Sequence, residues 1–202
     1  ERLKLHPEPY FRQNLLLSKD LSIFYGDRCV ANGISLTLNR GDRIALVGRN
    51  GCGKSSLLKL LTGQPIAHTG TLEIGSRLTV SYVPQDMSFL SGSADDFAAE
   101  SEIDLTLFKT ILRKLDFKRT QFTKDMSEFS MGQKKKVLLA RSLCQRANLY
   151  IWDEPLNYID VISRLQIETL ILEYKPTMLF VEHDEAFVND IATKVCRISL
   201  NQ

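Results

Sequence analysis

Gly48-Arg49-Asn50-Gly51-Cys52-Gly53-Lys54-Ser55-Ser56 fits the pattern G-x-x-x-x-G-K-[ST], in which glycine-rich backbone wraps around phosphate groups. The apolar residues 44–47 before it predict a buried strand, and leucines at helical spacing follow it. A strand, a glycine loop and a helix in this order direct backbone N–H groups and a positive helix end towards a phosphate. The sequence therefore predicts a nucleotide site, in which Lys54 reaches the β- and γ-phosphates and the Ser55 hydroxyl binds Mg²⁺.

The composition is that of an ordinary globular domain. The 202 residues, 44% of them hydrophobic, suffice for one core or for one core with a smaller lobe. A net charge of +2 gives no overall signal for nucleic acid, although a local patch could still reach RNA. No apolar run approaches the roughly 18 residues of a membrane helix, and no signal peptide is present. We therefore expect a cytoplasmic protein, and the first residue, Glu1, suggests a piece of something longer.

The cysteines are scattered along the chain and form no C-x-x-C pair. This spacing favours free thiols in a reducing cytosol over a disulfide framework or a zinc site. The four residues are Cys29, Cys52, Cys144 and Cys196.

Strand patterns surround the phosphate loop. Residues 15–23 and 29–38 read as strands joined by a turn, and residues 70–74 and 78–83 as a hairpin. Tyr25 lies at the first turn, where it could stack on an adenine ring or be an ordinary core or surface tyrosine. Gln85 follows a strand directly, so it could reach a metal ion or be a plain loop residue.

Carboxylates follow a second apolar run. Residues 149–152 lead into Asp153 and Glu154, at a sheet edge where ligands bind in α/β folds. Asp153 could complete the Mg²⁺ shell, and Glu154 could polarise a water aimed at the γ-phosphate. His183 ends a neighbouring strand, where it could be structural or could donate a hydrogen bond to phosphate.

The middle of the chain changes character. Apolar residues between positions 103 and 115 recur at helical spacing and predict a small helical lobe inserted in the nucleotide core. After this lobe, residues 129–133 precede another helix and form a second candidate anion site. Three lysines, residues 134–136, are interpreted as a solvated helix face rather than a binding patch.

From about residue 15 to residue 200, the chain resembles the nucleotide-binding domain of ABC ATPases, because the motifs occur in that family's order. Residues 48–55 resemble the Walker A loop, and residues 149–153, followed by Glu154, the Walker B strand. Tyr25 resembles the adenine-stacking residue, Gln85 the Q-loop glutamine, residues 130–133 the signature, Asp160 the D-loop aspartate and His183 the switch histidine.

Within this family, residues 154–160, Glu-Pro-Leu-Asn-Tyr-Ile-Asp, resemble the run typical of the ABC-F class. Members of that class carry two ATPase domains joined by a helical linker and act on ribosomes. The resemblance implies that residues 1–14 end such a linker and that residues 15–202 are the second domain, with a helical lobe at about residues 88–145. The Phe-Ser-Met-Gly-Gln signature at residues 129–133 is similar to that of the branch whose members protect ribosomes from antibiotics.

The resemblance also implies a fold, a chemistry and partners. The fold is an α/β P-loop NTPase of ABC type, with a mixed sheet core, an antiparallel β subdomain and a small helical lobe. The cofactors are ATP and Mg²⁺, hydrolysis needs a second ABC domain of the same polypeptide, and the full protein meets ribosomal RNA. The implied catalytic residues are Glu154 and His183, and the metal-binding residues are Ser55, Gln85 and Asp153. The implied nucleotide-binding residues are Tyr25, Gly48, Asn50, Gly51, Cys52, Gly53, Lys54, Ser55, Ser56, Gln85, Ser130, Gly132, Gln133 and Asp160.

Two other functions are compatible with these motifs. One is the ATPase subunit of a membrane transporter, which needs a longer helical lobe; the other is a domain that binds nucleotide without hydrolysis, against which Glu154 and His183 argue. The sequence also departs from the family at two positions. Met131 replaces a signature glycine where backbone approaches phosphate closely, and Glu182 replaces the usual serine before the switch histidine.

Overall fold

The computed structural model describes residues 3–199, which form sheets of five, three and two strands together with helices. The strands are β1 (His6–Pro7), β2 (Asn14–Tyr25), β3 (Arg28–Asn39), β4 (Arg43–Val47), β5 (Ala67–Ile74), β6 (Val80–Val83), β7 (Arg146–Ala147), β8 (Leu149–Asp153), β9 (Met178–Val181) and β10 (Lys194–Arg197). The α-helices are α1 (Lys54–Leu61), α2 (Ala94–Glu100), α3 (Leu105–Lys114), α4 (Met131–Cys144), α5 (Val161–Tyr174) and α6 (Glu185–Ile191).

The central sheet carries the functional edge of the domain. Its strand order is β10-β4-β9-β8-β6, and every neighbouring pair is parallel. The strands β8 and β9 are buried along their whole length, which explains their continuous apolar sequence. Because the strands are parallel, their carboxyl ends meet at one edge, where the phosphate loop follows β4.

Antiparallel pairing is confined to a separate sheet of order β3-β2-β5. The predicted α/β class with parallel and antiparallel strands is confirmed, but the two pairings occur in different sheets. The hairpin predicted at residues 70–74 and 78–83 is wrong. Strand β5 pairs with β2, whereas β6 enters the parallel sheet beside β8, so the intervening turn moves the chain from one sheet to the other.

Residues 3–14 pack against the domain, although their sequence showed no packing pattern. Leu3 and Leu5 are buried in one hydrophobic core and Tyr10 in the other. Strand β1 pairs in parallel with β7, at the end of α4. The assignment of this segment to a linker stays a prediction, but the structure places no break at residue 14.

The helical lobe is built from α2, α3 and the start of α4. Short side chains cap its helices: Ser93 accepts a hydrogen bond from the backbone N–H of Asp96, and Asp104 one from that of Leu107. Phe108 is fully buried against α4, and Phe117 contacts Phe129 edge to face. The lobe therefore shares a continuous core with one side of the central sheet.

The three lysines at the start of α4 are not a solvated face, so that interpretation is wrong. Lys135 is only 1% exposed. Lys136 forms a 2.6 Å ion pair with Asp160. Lys135 shares the buried face of α4 with Leu138, Leu139 and Ser142, which lie three, four and seven positions later.

Candidate functional site

The phosphate loop joins β4 to α1 at the carboxyl edge of the sheet. Gly53 caps the start of α1 with φ of +89°, a left-handed conformation that favours glycine. A Cβ atom there would lie 2.5 Å from the carbonyl oxygen of Val30 and 2.6 Å from Cβ of Ala31. Gly53 is therefore required both by its backbone angle and by the close approach of β3. Backbone N–H groups at the start of α1 remain free to bind an anion.

Lys54 lies over this loop rather than in solvent. Its side chain is buried, and Nζ donates hydrogen bonds to the carbonyl oxygens of Gly48 (2.8 Å) and Arg49 (2.9 Å). A third, weaker contact joins Nζ to Cys52 Sγ at 3.8 Å. A lysine ammonium has three donors, so one remains available for a phosphate oxygen.

The predicted metal ligands converge beside Lys54. Ser55 Oγ lies 3.4 Å from Gln85 Oε1. Both carboxylate oxygens of Asp153 are buried, neither has a hydrogen-bond partner within 3.5 Å among residues 3–199, and burial raises the pKa of this carboxyl. A buried carboxylate without partners is stabilised by a bound cation. One carboxylate, one hydroxyl and one amide suit Mg²⁺, which usually retains waters and phosphate oxygens among its ligands.

Glu154 is held by three side chains at the end of β8. Its Oε1 lies 3.0 Å from His183 Nε2, and its Oε2 accepts hydrogen bonds from Gln85 Nε2 (3.0 Å) and from Asn157 Nδ2. Its backbone has φ of +50°, and its N–H donates to the carbonyl oxygen of Val181 on β9. These contacts place both predicted catalytic side chains at one point, as the sequence indicated.

Glu182, the carboxylate that precedes His183, joins the loop after Glu154 to the His183 segment. It is buried, and its Oε1 accepts a hydrogen bond from the N–H of Leu156 at 2.8 Å. Its Oε2 accepts one from the N–H of His183 at 3.2 Å. Burial raises the pKa of Glu182. A serine side chain is too short to bridge these two segments in the same way.

A cleft of about 400 Å³ runs along the phosphate loop. The half-exposed Tyr25 and the carboxylate residue Glu154 both line it. The predicted nucleotide-binding residues that line it are Tyr25, Asn50, Gly51, Gly53, Lys54, Ser55, Ser56 and Gln85. Gly48 and Cys52 do not line it: Gly48 packs against the backbone of Ile198, and the Cys52 thiol is buried. All four cysteines are free thiols, as predicted.

The signature residues form the start of α4, away from this cleft. The Ser130 hydroxyl accepts from the Gln133 N–H, and the Gln133 amide accepts from the Ser130 N–H, which is a capping box. A Cβ on Gly132 would lie 2.6 Å from the carbonyl oxygen of Tyr158. Met131 is 47% exposed, so its side chain occupies the outer surface of the signature.

The Asp160 side chain binds two residues of its own chain. It caps α5 by accepting a hydrogen bond from the Ser163 N–H at 2.9 Å, and it pairs with Lys136. Burial alone would raise the pKa of Asp160, but the hydrogen bonds from Lys136 and Ser163 outweigh it and lower the pKa to about 2. Asp160 therefore joins the signature helix to the loop after Glu154, and its predicted contact with nucleotide stays a prediction.

Asp160→Ala is expected to lower the free energy of unfolding by about 1 kcal/mol at neutral pH, mainly through the lost helix cap. An unfolded aspartate titrates near 3.9, as a rough reference value, and the folded pKa is about 2. The stabilisation is therefore present above the unfolded pKa and disappears as the pH falls through the folded one. Urea unfolding at pH 7 and at low pH measures it, with the exposed Asp190→Ala as control. An equal loss at both pH values would contradict this role.

Comparison with known proteins decides the family. The sequence profile of the ABC transporter family matches residues 31–157, and the matched region contains the phosphate loop, the signature and the carboxylates after β8. The chain belongs to the ABC transporter family. It is an ABC-type ATPase domain, and its relatives include one protein named as a member of the F family. The ABC transporter F family member 2 of Arabidopsis thaliana is 28% identical, over 92% of this chain and 28% of that protein.

Other relatives agree in fold and extent. The ATP-binding protein YdiF of Bacillus subtilis is 35% identical over 92% of this chain and 30% of its own length. The ATP-binding subunit of an ABC transporter superposes with a TM-score of 0.75 at 22% identity, over 92% of this chain and 88% of that one, and so supports the fold alone. The ABC domain thus spans under a third of the two sequence relatives. Within residues 3–199, no helix is both long and apolar enough to cross a bilayer.

The sequence analysis did not predict the burial of one residue of this ABC domain or the role of another. Lys135 was assigned to solvent because it lies in a run of lysines, although its helical spacing to Leu138 and Leu139 indicates the buried face. Glu182 was noticed as a departure without a role. Its two hydrogen-bond partners belong to different segments, which no local pattern brings together.

Proposed function

We propose that Glu154 is the base that polarises the attacking water during ATP hydrolysis by this domain. The observation that carries this proposal is the Glu154 carboxylate, which Gln85, Asn157 and His183 hold in the cleft that Lys54 and Ser55 also line. His183 binds the γ-phosphate and holds Glu154 in place. Ser55, Gln85 and Asp153 would hold a Mg²⁺ ion, which would supply positive charge to the phosphates when bound. Tyr25 stacks on the base, and the loop N–H groups with Lys54 hold the phosphates.

The nucleotide-binding site is completed by a second ABC domain. ABC domains pair, and here the residues that would cover a partner's nucleotide lie at the start of α4 rather than at the domain's own cleft. Ser130, Gly132 and Gln133 would meet the phosphates bound by the partner, and Met131 would stand at the rim of that composite site. We place the second domain in the same polypeptide, because the relatives are about three times as long as this chain.

The full protein acts on the ribosome in the cytoplasm. This proposal is supported by the ABC-F run at residues 154–160, by the relative named as a member of the F family and by the short helices of the lobe, α2 of 7 and α3 of 10 residues. A transporter subunit is the second candidate, because the fold is shared with such subunits. The signature at residues 129–133 favours the ribosome-protection branch, so ribosomes with a bound antibiotic are the expected preferred target.

Co-sedimentation tests this function. The Glu154→Gln variant, at the protein's natural length, should pellet with ribosomes when ATP is present and much less without it, because ATP stabilises the closed pair of domains. The chain of 202 residues alone should bind weakly, because its net charge is only +2. The binding that remains should fall as the salt concentration rises, since contacts with RNA phosphates are screened by salt. Drug-bound ribosomes should retain the trapped protein better than empty ones.

The matched controls are the same variant with ADP and the variant Lys54→Ala with ATP, neither of which should pellet. If the trapped protein stays in the supernatant with both kinds of ribosome, the ribosomal function is wrong. If it partitions with membranes instead, the transporter function takes its place.

A further inference from the structure

A buried ammonium group lies beneath the catalytic edge. Lys135 Nζ is 3.5 Å from the carbonyl oxygen of Pro84 and 3.5 Å from that of Asp153. Asp153 ends β8, and Pro84 directly follows β6, which pairs with β8 in parallel. One side chain of α4 therefore contacts the ends of two neighbouring strands of the central sheet.

The next residue on each strand end belongs to the proposed active site. Gln85 follows Pro84, Glu154 follows Asp153, and these two side chains are joined by a 3.0 Å hydrogen bond. A change in the spacing of the two strand ends would move Gln85 relative to Glu154. Lys135 holds that spacing from below, and it lies little more than one helical turn from the Ser130 cap.

Both carbonyl contacts are at the long end of the hydrogen-bond range, and the charge of the ammonium group acts in addition to them. Three carboxylates, those of Asp153, Glu154 and Glu182, attract Lys135 electrostatically and oppose the lowering of its pKa by burial. Burial in turn raises the pKa of Asp153 and of Glu182. Each buried charge is therefore unfavourable alone, and the cation and the carboxylates stabilise one another.

We propose that Lys135 is a positioning residue, whose contacts with the ends of β6 and β8 hold Gln85 and Glu154 in the register that hydrolysis requires, and whose charge balances the carboxylates there. Its effect on turnover rests on the proposed function. Its effect on the charge cluster does not, so the two can be tested separately. Lys135 positions residues of the nucleotide site of its own domain. The helix that carries it, α4, begins with the signature residues proposed to meet the partner domain.

Thermal unfolding without nucleotide and with EDTA tests the charge cluster. Lys135→Met removes the charge at nearly constant volume and should lower the unfolding midpoint by about 10 °C, because it leaves buried carboxylates uncompensated. Adding Glu182→Gln removes one carboxylate while keeping an acceptor for the Leu156 N–H. The double variant should unfold at a higher temperature than Lys135→Met alone. If it unfolds as early, or does not fold, the charge of Lys135 is not what holds the cluster, and the proposal fails.

Steady-state hydrolysis at the protein's natural length tests the positioning role. Lys135→Met should lower kcat by about 10- to 100-fold, through misplacement of Glu154, while KM for ATP changes by less than about threefold. Lys134→Met, the same change one position earlier on α4, is the matched control and should keep the wild-type rate. A wild-type kcat in Lys135→Met, or an equal loss in Lys134→Met, would overturn the proposal. A wild-type protein without ATPase activity would instead overturn the proposed function, and the unfolding measurements would still decide the charge role.

Discussion

Glu154→Gln, in the protein at its natural length, is expected to bind ATP normally and to hydrolyse it about 100-fold or more slowly, because an amide cannot act as a base. The structure explains why the substitution should leave the geometry intact. The amide oxygen can replace Oε2 and accept from Gln85 and Asn157. The amide NH₂ then faces His183 Nε2, which accepts a hydrogen bond when the imidazole is neutral and protonated on Nδ1.

Single-turnover hydrolysis, with ATP binding measured in parallel, separates the two effects. Glu73→Gln, on the exposed strand β5, is the control and should hydrolyse ATP at the wild-type rate. A wild-type rate in Glu154→Gln would place the base elsewhere, and His183 would be the next residue to replace.

Lys54→Ala is expected to weaken ATP binding by about 100-fold or more, since the charge-assisted contact with the phosphates is lost. The variant also removes the ammonium group that donates hydrogen bonds to the carbonyl oxygens of Gly48 and Arg49. The phosphate loop should therefore become less ordered as well as less positive. Titration with a fluorescent ATP analogue measures the affinity.

The control for Lys54→Ala is Lys59→Ala, a basic residue in the last turn of the same helix, which should bind ATP with wild-type affinity. Thermal unfolding of both variants reports whether the domain stays folded. Unchanged affinity in a folded Lys54→Ala protein would remove Lys54 from the phosphate site.

Much of the site could be predicted because its motifs are local. The loop at residues 48–56 contains its own strand, glycines and helix start, so the sequence alone indicates a phosphate site. The apolar runs before Glu154 and His183 likewise indicated two buried strands, and these strands are neighbours in the structure. The family, the ATPase chemistry and the parallel core follow from such patterns.

Pairing between distant segments could not be read in this way. Strands β5 and β6 are close in sequence, but their partners, β2 and β8, lie in different sheets. A hairpin interpretation considers only the turn between them. Strand β6 buries Ser81 and Val83 where it pairs with β8, whereas β5 is exposed along most of its length and is placed by its pairing with β2. Both pairings depend on segments that are distant in the chain.

The sequence by itself determined that this chain is an ABC-type ATPase domain with a phosphate loop at Lys54 and carboxylates at residues 153 and 154. Only the tertiary structure decided how those groups are held. The environment of Lys135 consists of two strand ends and three carboxylates, and that of Glu182 joins the Leu156 loop to the His183 segment. The physical reason is that a charged residue is interpreted from sequence as solvent-exposed, since burial of an unpaired charge is costly. The partners that make such burial favourable are brought together only by folding.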